Sequence, residues 1–291
     1  MNLKKRLNYV TTLLSPSFIN FYLKNKQTPV ADALTYVKLK KEATAFLDQY
    51  QVQTTSGEKN NVIWICWFQG IEDAPPLVRH NIETIKRLYP KQQVQIITLA
   101  NLSDFITFPT FLQDKIDAGL IPYAHLSDLV RVALLTKHGG TWIDSTVYFT
   151  GTNFPGYVFD APLFFYSNTQ QQNRAIAASS WFIHSDTNHP ILVLTQDLLY
   201  NYWQTHDTLD NYFMFHVFLT IACDHLTAEY AKLPRLGNVE PHLMGKVLFE
   251  QFDEQRYQEI TALSSMHKLT NKFSKENQEK ADTFYQYILN H

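Results

Sequence analysis

The run Val62-Ile-Trp-Ile-Cys-Trp-Phe68 constrains this chain more than any other segment. It carries no charged or amide side chain and is built from β-branched and aromatic residues, which favour strands. With apolar residues at odd and even positions alike, it offers no face to water. It therefore reads as a strand at the centre of a sheet covered on both sides. The run stops at Gln69-Gly70, Pro75-Pro76 opens a helix to about Leu88, and Val94-Gln-Ile-Ile-Thr-Leu99 reads as a second strand. This β-loop-α-β order predicts an α/β fold with a mostly parallel central sheet flanked by helices.

The chain has 291 residues, 45% hydrophobic and 18% charged, which is enough apolar side chain for a large core and too little charge for disorder. No stretch reaches the roughly 18 apolar residues of a membrane span, and the first residues do not read as a secretory signal. Cys66 and Cys223 sit among apolar neighbours. Two such cysteines make neither a disulfide framework nor a four-cysteine metal site, so a reducing, cytoplasmic setting is expected. The net charge of −2 is unevenly spread: residues 1–41 carry eight basic side chains against Asp32 alone. The acidic remainder disfavours nucleic acid as a partner. The basic segment (Lys4, Lys5, Arg6, Lys24, Lys26, Lys38, Lys40, Lys41) also carries Leu3, Leu7, Val10, Leu13, Leu14, Phe18 and Phe21. Such a segment suits contact with anionic lipid at the inner face of the plasma membrane. It equally suits a solvated helix pair covering one side of the fold.

Residues 1–50 read as helices broken near Pro16 and Pro29, and the polar stretch Gln51–Asn61 reads as a linker. The expected division is a helical extension over 1–55 and a main domain over 56–291. Ser127–His138 has helical apolar spacing and ends at Gly139-Gly140, a C-terminal stop. Thr141–Phe149 reads as one strand, with Trp142, Asp144, Thr146 and Tyr148 on one face. Further along, Trp181–Ile183 reads as a short strand, and Ile191–Trp203, Leu209–Leu226 and Glu276–Leu289 read as helices.

Asp144 is the acid that needs explaining, because it is flanked by Trp142, Ile143 and Val147 on a central strand. A buried carboxylate is costly unless paired or metal-bound. A hard divalent cation would suit it and leave positions open for a diphosphate; pairing with Arg131 or capping a turn would also account for it. Asp128 and Arg131, three apart, share a helix face and can form an intrahelical salt bridge. They also precede the turn that leads to Asp144.

The stretch Ala124-His-Leu-Ser-Asp128-Leu-Val-Arg131, continuing through Gly139-Gly140-Thr-Trp-Ile-Asp144, resembles the S-D-x-x-R and G-G-x-x-x-D signature of GT-A-type glycosyltransferases. More narrowly it resembles the capsular polysaccharide synthesis protein family. Ile63–Gly70, Leu209-Asp210-Asn-Tyr-Phe213 and His267-Lys-Leu-Thr270 agree in order and spacing, over about residues 60–272. The resemblance implies a nucleotide-sugar half at about 60–150, an acceptor half at about 151–272 and a C-terminal helix at 274–291. It implies a divalent-metal-dependent hexosyltransferase that retains anomeric configuration. Such an enzyme would move a sugar from a nucleotide-diphosphate donor, UDP-linked by expectation, to a growing capsular or surface polysaccharide or lipid-linked glycan. Asp144 would bind Mn²⁺ or Mg²⁺, with Thr146 and His267 as further ligands. Asp128 and Arg131 would contact donor sugar and phosphates, Trp67 would stack on the base, Lys268 would assist the diphosphate, and Asp210 would position the acceptor or act as base. Each has a plain alternative: Trp67 as core, His267 as a structural hydrogen-bonder, Asp210 as a helix N-terminal residue. Thr146 stands where the broader group has a second Asp, which weakens the metal set. That departure motivates the competing expectation of an inactive sugar-nucleotide-binding protein, and the basic segment 1–41 motivates that of a membrane-docking accessory protein. His184, His189, His206, His216 and His225 share no metal-ligand spacing and are expected to be structural.

Overall fold

Among the described residues seven strands organise the fold: β1 (Ile63–Cys66), β2 (Val94–Ile97), β3 (Gly140–Ile143), β4 (Val147–Phe149), β5 (Leu163–Ser167), β6 (Ala178–Ser185) and β7 (Met266–Lys268). Five of them form a central sheet in the order β2-β1-β3-β6-β5, while β4 and β7 pair separately and antiparallel. β1 is parallel to β2 and β3, and β6 runs antiparallel to its neighbours β3 and β5. Four of the five central strands thus point the same way, the mostly parallel α/β sheet that the sequence predicts. The computed structural model describes residues 9–52, 57–168 and 173–291.

The main helices are α1 (Pro16–Lys24), α2 (Val30–Glu42), α3 (Pro76–Leu88), α4 (Tyr123–His138), α5 (Pro190–Thr205) and α6 (Met214–His225). Prolines sit at the start of α1, α3 and α5, where their missing N–H costs no helical hydrogen bond. β1 is covered on both faces, as its composition requires. Trp64 enters the larger core with side chains of α2, α4, α5 and α6. Ile63 and Ile65 enter a second core with Val78, Ile82 and Ile85 of α3. Each fully buried isoleucine contributes about 1.5–3 kcal/mol.

Two glycines set the geometry that matters below. Gly139 (φ +64°) ends α4 and Gly140 (φ +94°) begins β3. A Cβ on Gly140 would lie 2.5 Å from the Val62 carbonyl oxygen, so only glycine lets β3 settle against β1. The Thr141 N–H then donates to that same carbonyl at 2.9 Å.

The structure revises several readings. Thr141–Phe149 is two strands, since the chain turns at 144–146, where the Val147 N–H donates to the Asp144 carbonyl. β3 stays in the central sheet and β4 leaves to pair with β7. Both pieces are buried, so the apolar residues on either side of Asp144-Ser-Thr146 read as one strand and hide the break. The final helix is likewise split, into Lys275–Glu279 and Phe284–Asn290, with Asp282 at φ +54° between them. Leu209–Leu226 is helical only from Met214 to His225. β5, Leu163–Ser167, lies in a stretch to which the sequence reading assigns no element.

At the N-terminus, Leu3, Lys4, Lys5, Arg6 and Leu7 lie outside the described residues, as do 53–56 of the linker. The described part of the 1–55 extension is built into the main core: Leu34, Val37 and Leu39 of α2 are buried in the same cluster as α6. Among the described residues no helix is long and apolar enough to cross a membrane.

Candidate functional site

The carboxyl ends of β1 and β3 open into a cleft of about 580 Å³, the edge at which open α/β sheets take ligands. Its walls come from the segment after β1, the first half of α4, the turn after β3 and the segment after β7, with Tyr212 and His216 closing one side. On the floor is a chain of alternating charges. Asp144 Oδ1 accepts from Arg131 Nη2 (3.1 Å) and Trp142 Nε1 (2.9 Å), and Oδ2 accepts from Lys268 Nζ (3.0 Å). Lys268 Nζ also donates to Thr146 Oγ1. Arg131 Nη1 donates to Asp128 Oδ1, and the guanidinium lies over the Trp142 and Phe215 rings.

Local sequence explains the arrangement. Asp128 and Arg131, one turn apart on α4, meet across a single helix face. The Gly139-Gly140 turn folds β3 back so that its C-terminal residue arrives beside them, and the break after Ile143 frees Asp144 to face the cleft. β7 pairs with β4 so that Lys268 stands opposite Val147, which brings its ammonium over the turn. Asp144 is one-quarter exposed, and Arg131 is 5% exposed.

Burial pushes the Asp144 carboxyl up, but the Lys268 and Arg131 charges and the hydrogen bonds from Trp142 and Lys268 outweigh it. Together they hold it well below the usual carboxylate range. Asp128 is likewise held down, burial being outweighed by Arg131 and His125. His216 is pushed down to about 4, chiefly by burial, so its imidazole is neutral near pH 7; its Nδ1 has no partner among the described residues.

Asp128, Arg131, Asp144, Thr146, Trp67 and Lys268 all border this cleft. Trp67 lies just past the end of β1 with its Nε1 unpartnered among the described residues, whereas Trp64 is core, donating to the Gly139 carbonyl at 2.8 Å. The alternative for Asp144, pairing with Arg131, is present as well. Two expectations are corrected. His267 alternates away from Lys268 on β7, is fully buried, and pairs through Nε2 with Thr150 Oγ1 at 3.1 Å; burial pushes it down to about 4. It does not line the cleft. Asp210 lies outside it too, ion-paired with Lys38, and with Asn211 bonded to Thr35 it fastens α2 to the loop before α6. Sequence reasoning missed Tyr123, Lys272 and His216. His216 was set aside because it matches no other histidine, and its one available signal was its position just after the Asp210 segment.

The residues present do not fit a divalent cation. Asp144 supplies the one carboxylate on the turn, and both its oxygens already serve Arg131, Trp142 and Lys268. Thr146 is neutral, His267 is turned away, and an ammonium stands where a cation would have to approach. Among the described residues no group of three or more His, Cys, Asp or Glu side chains is placed to hold a metal ion.

Comparison with known proteins adds four findings. The family described as "Capsular polysaccharide synthesis protein" matches residues 15–288. The chain is similar to the O-glycosyltransferase braB of Annulohypoxylon truncatum (31% identical over 99 residues, 31% of this chain and 23% of that protein). It is also similar to the glycosyltransferase afumC of Aspergillus fumigatus (30% over 107 residues, 34% of this chain and 27% of that protein). The matched segments span about a quarter of these relatives. Among solved structures, the PaToxG glycosyltransferase covers 94% of this chain and 98% of its own at 15% identity, with a TM-score of 0.42.

Proposed function

Because the chain belongs to the capsular polysaccharide synthesis protein family, we propose that it is a glycosyltransferase of the GT-A kind. It takes a sugar from a nucleotide-diphosphate donor held in this cleft and passes it to a capsular or other surface glycan. The observation that carries the proposal is the Asp128–Arg131–Asp144–Lys268 network at the carboxyl ends of β1 and β3. It offers the Lys268 ammonium to a diphosphate and carboxylates to sugar hydroxyls, with Arg131 holding both acids in place, from one preorganised floor. Trp67 and Tyr123 offer apolar surfaces for base and sugar rings. Retention of configuration belongs to the same reading. The acids bordering the cleft among the described residues are Asp128 and Asp144, both ion-paired and held below the range of a useful base.

The test is release of nucleoside diphosphate from a panel of nucleotide sugars, with and without glycan acceptors. Asp144→Ala and Arg131→Ala are expected to lower turnover by about 10²–10³-fold, the scale of losing a preorganised charge-stabilising group. Unchanged turnover in both would place the site elsewhere, and binding without turnover in the parent chain would favour the inactive accessory reading.

One further observation bears on location. Val10, Leu14, Ile19 and Leu23 are exposed on the N-terminal helical segment, with Lys24 and Lys26 beside them. This supports peripheral contact with anionic lipid.

A further inference from the structure

We infer that the Lys268 ammonium supplies in this cleft the charge compensation a divalent cation would give, so that the donor diphosphate is bound and released without a metal ion. This deepens the proposed donor class and rests on it. Lys268 Nζ contacts both Asp144 Oδ2 and Thr146 Oγ1, the two side chains on which a cation would have to sit. It is therefore a fixed positive charge at the position where one is needed. An ammonium has three donors; two are engaged here, which leaves one for a phosphate oxygen. Its compact point charge suits that ligand. Arg131, by contrast, is buried with its two terminal nitrogens on Asp128 and Asp144, so it positions the acid rather than meeting the ligand.

The charge balance agrees. Around the cleft Arg131, Lys268 and Lys272 are set against Asp128 and Asp144, with His216 neutral. The formal surplus is one positive charge before any ligand enters. A diphosphate ester complements that surplus, whereas a divalent ion would add to it. The backbone of Lys268 is also held in place: a Cβ on Gly245 would lie 2.7 Å from the Lys268 carbonyl oxygen, a close approach that glycine alone permits.

In the transfer step the bond from the anomeric carbon to the β-phosphate oxygen breaks, its electron pair staying on that oxygen beside Lys268. The acceptor hydroxyl oxygen bonds the anomeric carbon, and its proton passes to the departing diphosphate. The reaction balances with no other reactant.

Calorimetric titration of the full chain with uridine, guanosine, cytidine, adenosine and thymidine diphosphates, in EDTA and again in Mn²⁺, decides the matter. The inference expects the same preferred nucleotide to bind within about threefold under both conditions. Lys268→Ala should weaken it at least tenfold without rescue by Mn²⁺, and Lys268→Arg should recover most of the affinity. Thermal melts of both variants establish that they fold. Binding that requires Mn²⁺, or a Lys268→Ala chain that binds like the parent, overturns the inference and leaves the proposed function standing. If no nucleoside diphosphate binds under either condition, the proposed function fails and takes the inference with it.

Discussion

Replacing Asp144 by Asn keeps the shape of the side chain and its acceptor for Trp142 Nε1, but removes the charge between Arg131 and Lys268. Charge-assisted hydrogen bonds contribute about 1.5–3 kcal/mol each where desolvated. Here one partner, Arg131, is 5% exposed, while Asp144 and Lys268 are each roughly one-quarter exposed, so solvent screens the second pair. Arg131 also keeps Asp128. A net loss of about 2 kcal/mol at pH 7 follows, a melting shift of roughly 4–8 °C for a chain somewhat under 250 residues and somewhat less here. The pH dependence has a definite sign. The folded carboxyl is held below its unfolded value near 4, so its stabilisation is fully present above that value and is lost as pH falls toward the folded one. The gap between parent and Asp144→Asn, measured by urea unfolding at pH 7, 5 and 3.5, should therefore hold between pH 7 and 5 and narrow by pH 3.5. Equal stability at pH 7, or a gap that widens in acid, would refute the ion-paired network.

Three further outcomes are expected. Gly140→Ala should destabilise by about 1–3 kcal/mol or more, since it combines a positive φ with a Cβ 2.5 Å from the Val62 carbonyl, and calorimetry should show it. Trp67→Ala should weaken nucleotide binding with a small change in melting temperature. Trp64→Ala should do the reverse, losing about 3–5 kcal/mol of stability as a fully packed aromatic. Replacing Val10, Leu14, Ile19 and Leu23 by Ser should reduce co-sedimentation with anionic vesicles at unchanged melting temperature; equal sedimentation would end the lipid reading.

Much of this was legible because burial leaves a mark on composition. The two-sided apolar run announced β1, and the prolines and paired glycines marked helix starts and the α4–β3 turn. The S-D-x-x-R spacing brought Asp128 and Arg131 to one face. What stayed hidden depends on contacts distant in sequence. The break after Ile143 had one mark, the polar triplet Asp144-Ser-Thr146, and it was masked because β4 is as buried against β7 as β3 is in the central sheet. For the same reason the neighbours His267 and Lys268 could not be told apart, and both were expected at the cleft. Alternation on a three-residue strand sends one into the core and the other over Asp144, and register with β4 decides which. Asp210 offered the same composition for an acceptor site as for the ion pair with Lys38, a partner 172 residues away.

The most direct test is a crystal structure of the full chain with its preferred nucleoside diphosphate, grown in EDTA. The account predicts the diphosphate within about 3 Å of Lys268 Nζ and the base against Trp67. A nucleotide seated instead in the groove between Phe46, Tyr50, Phe111 and Tyr200, with the Asp144–Lys268 pair untouched, would contradict it.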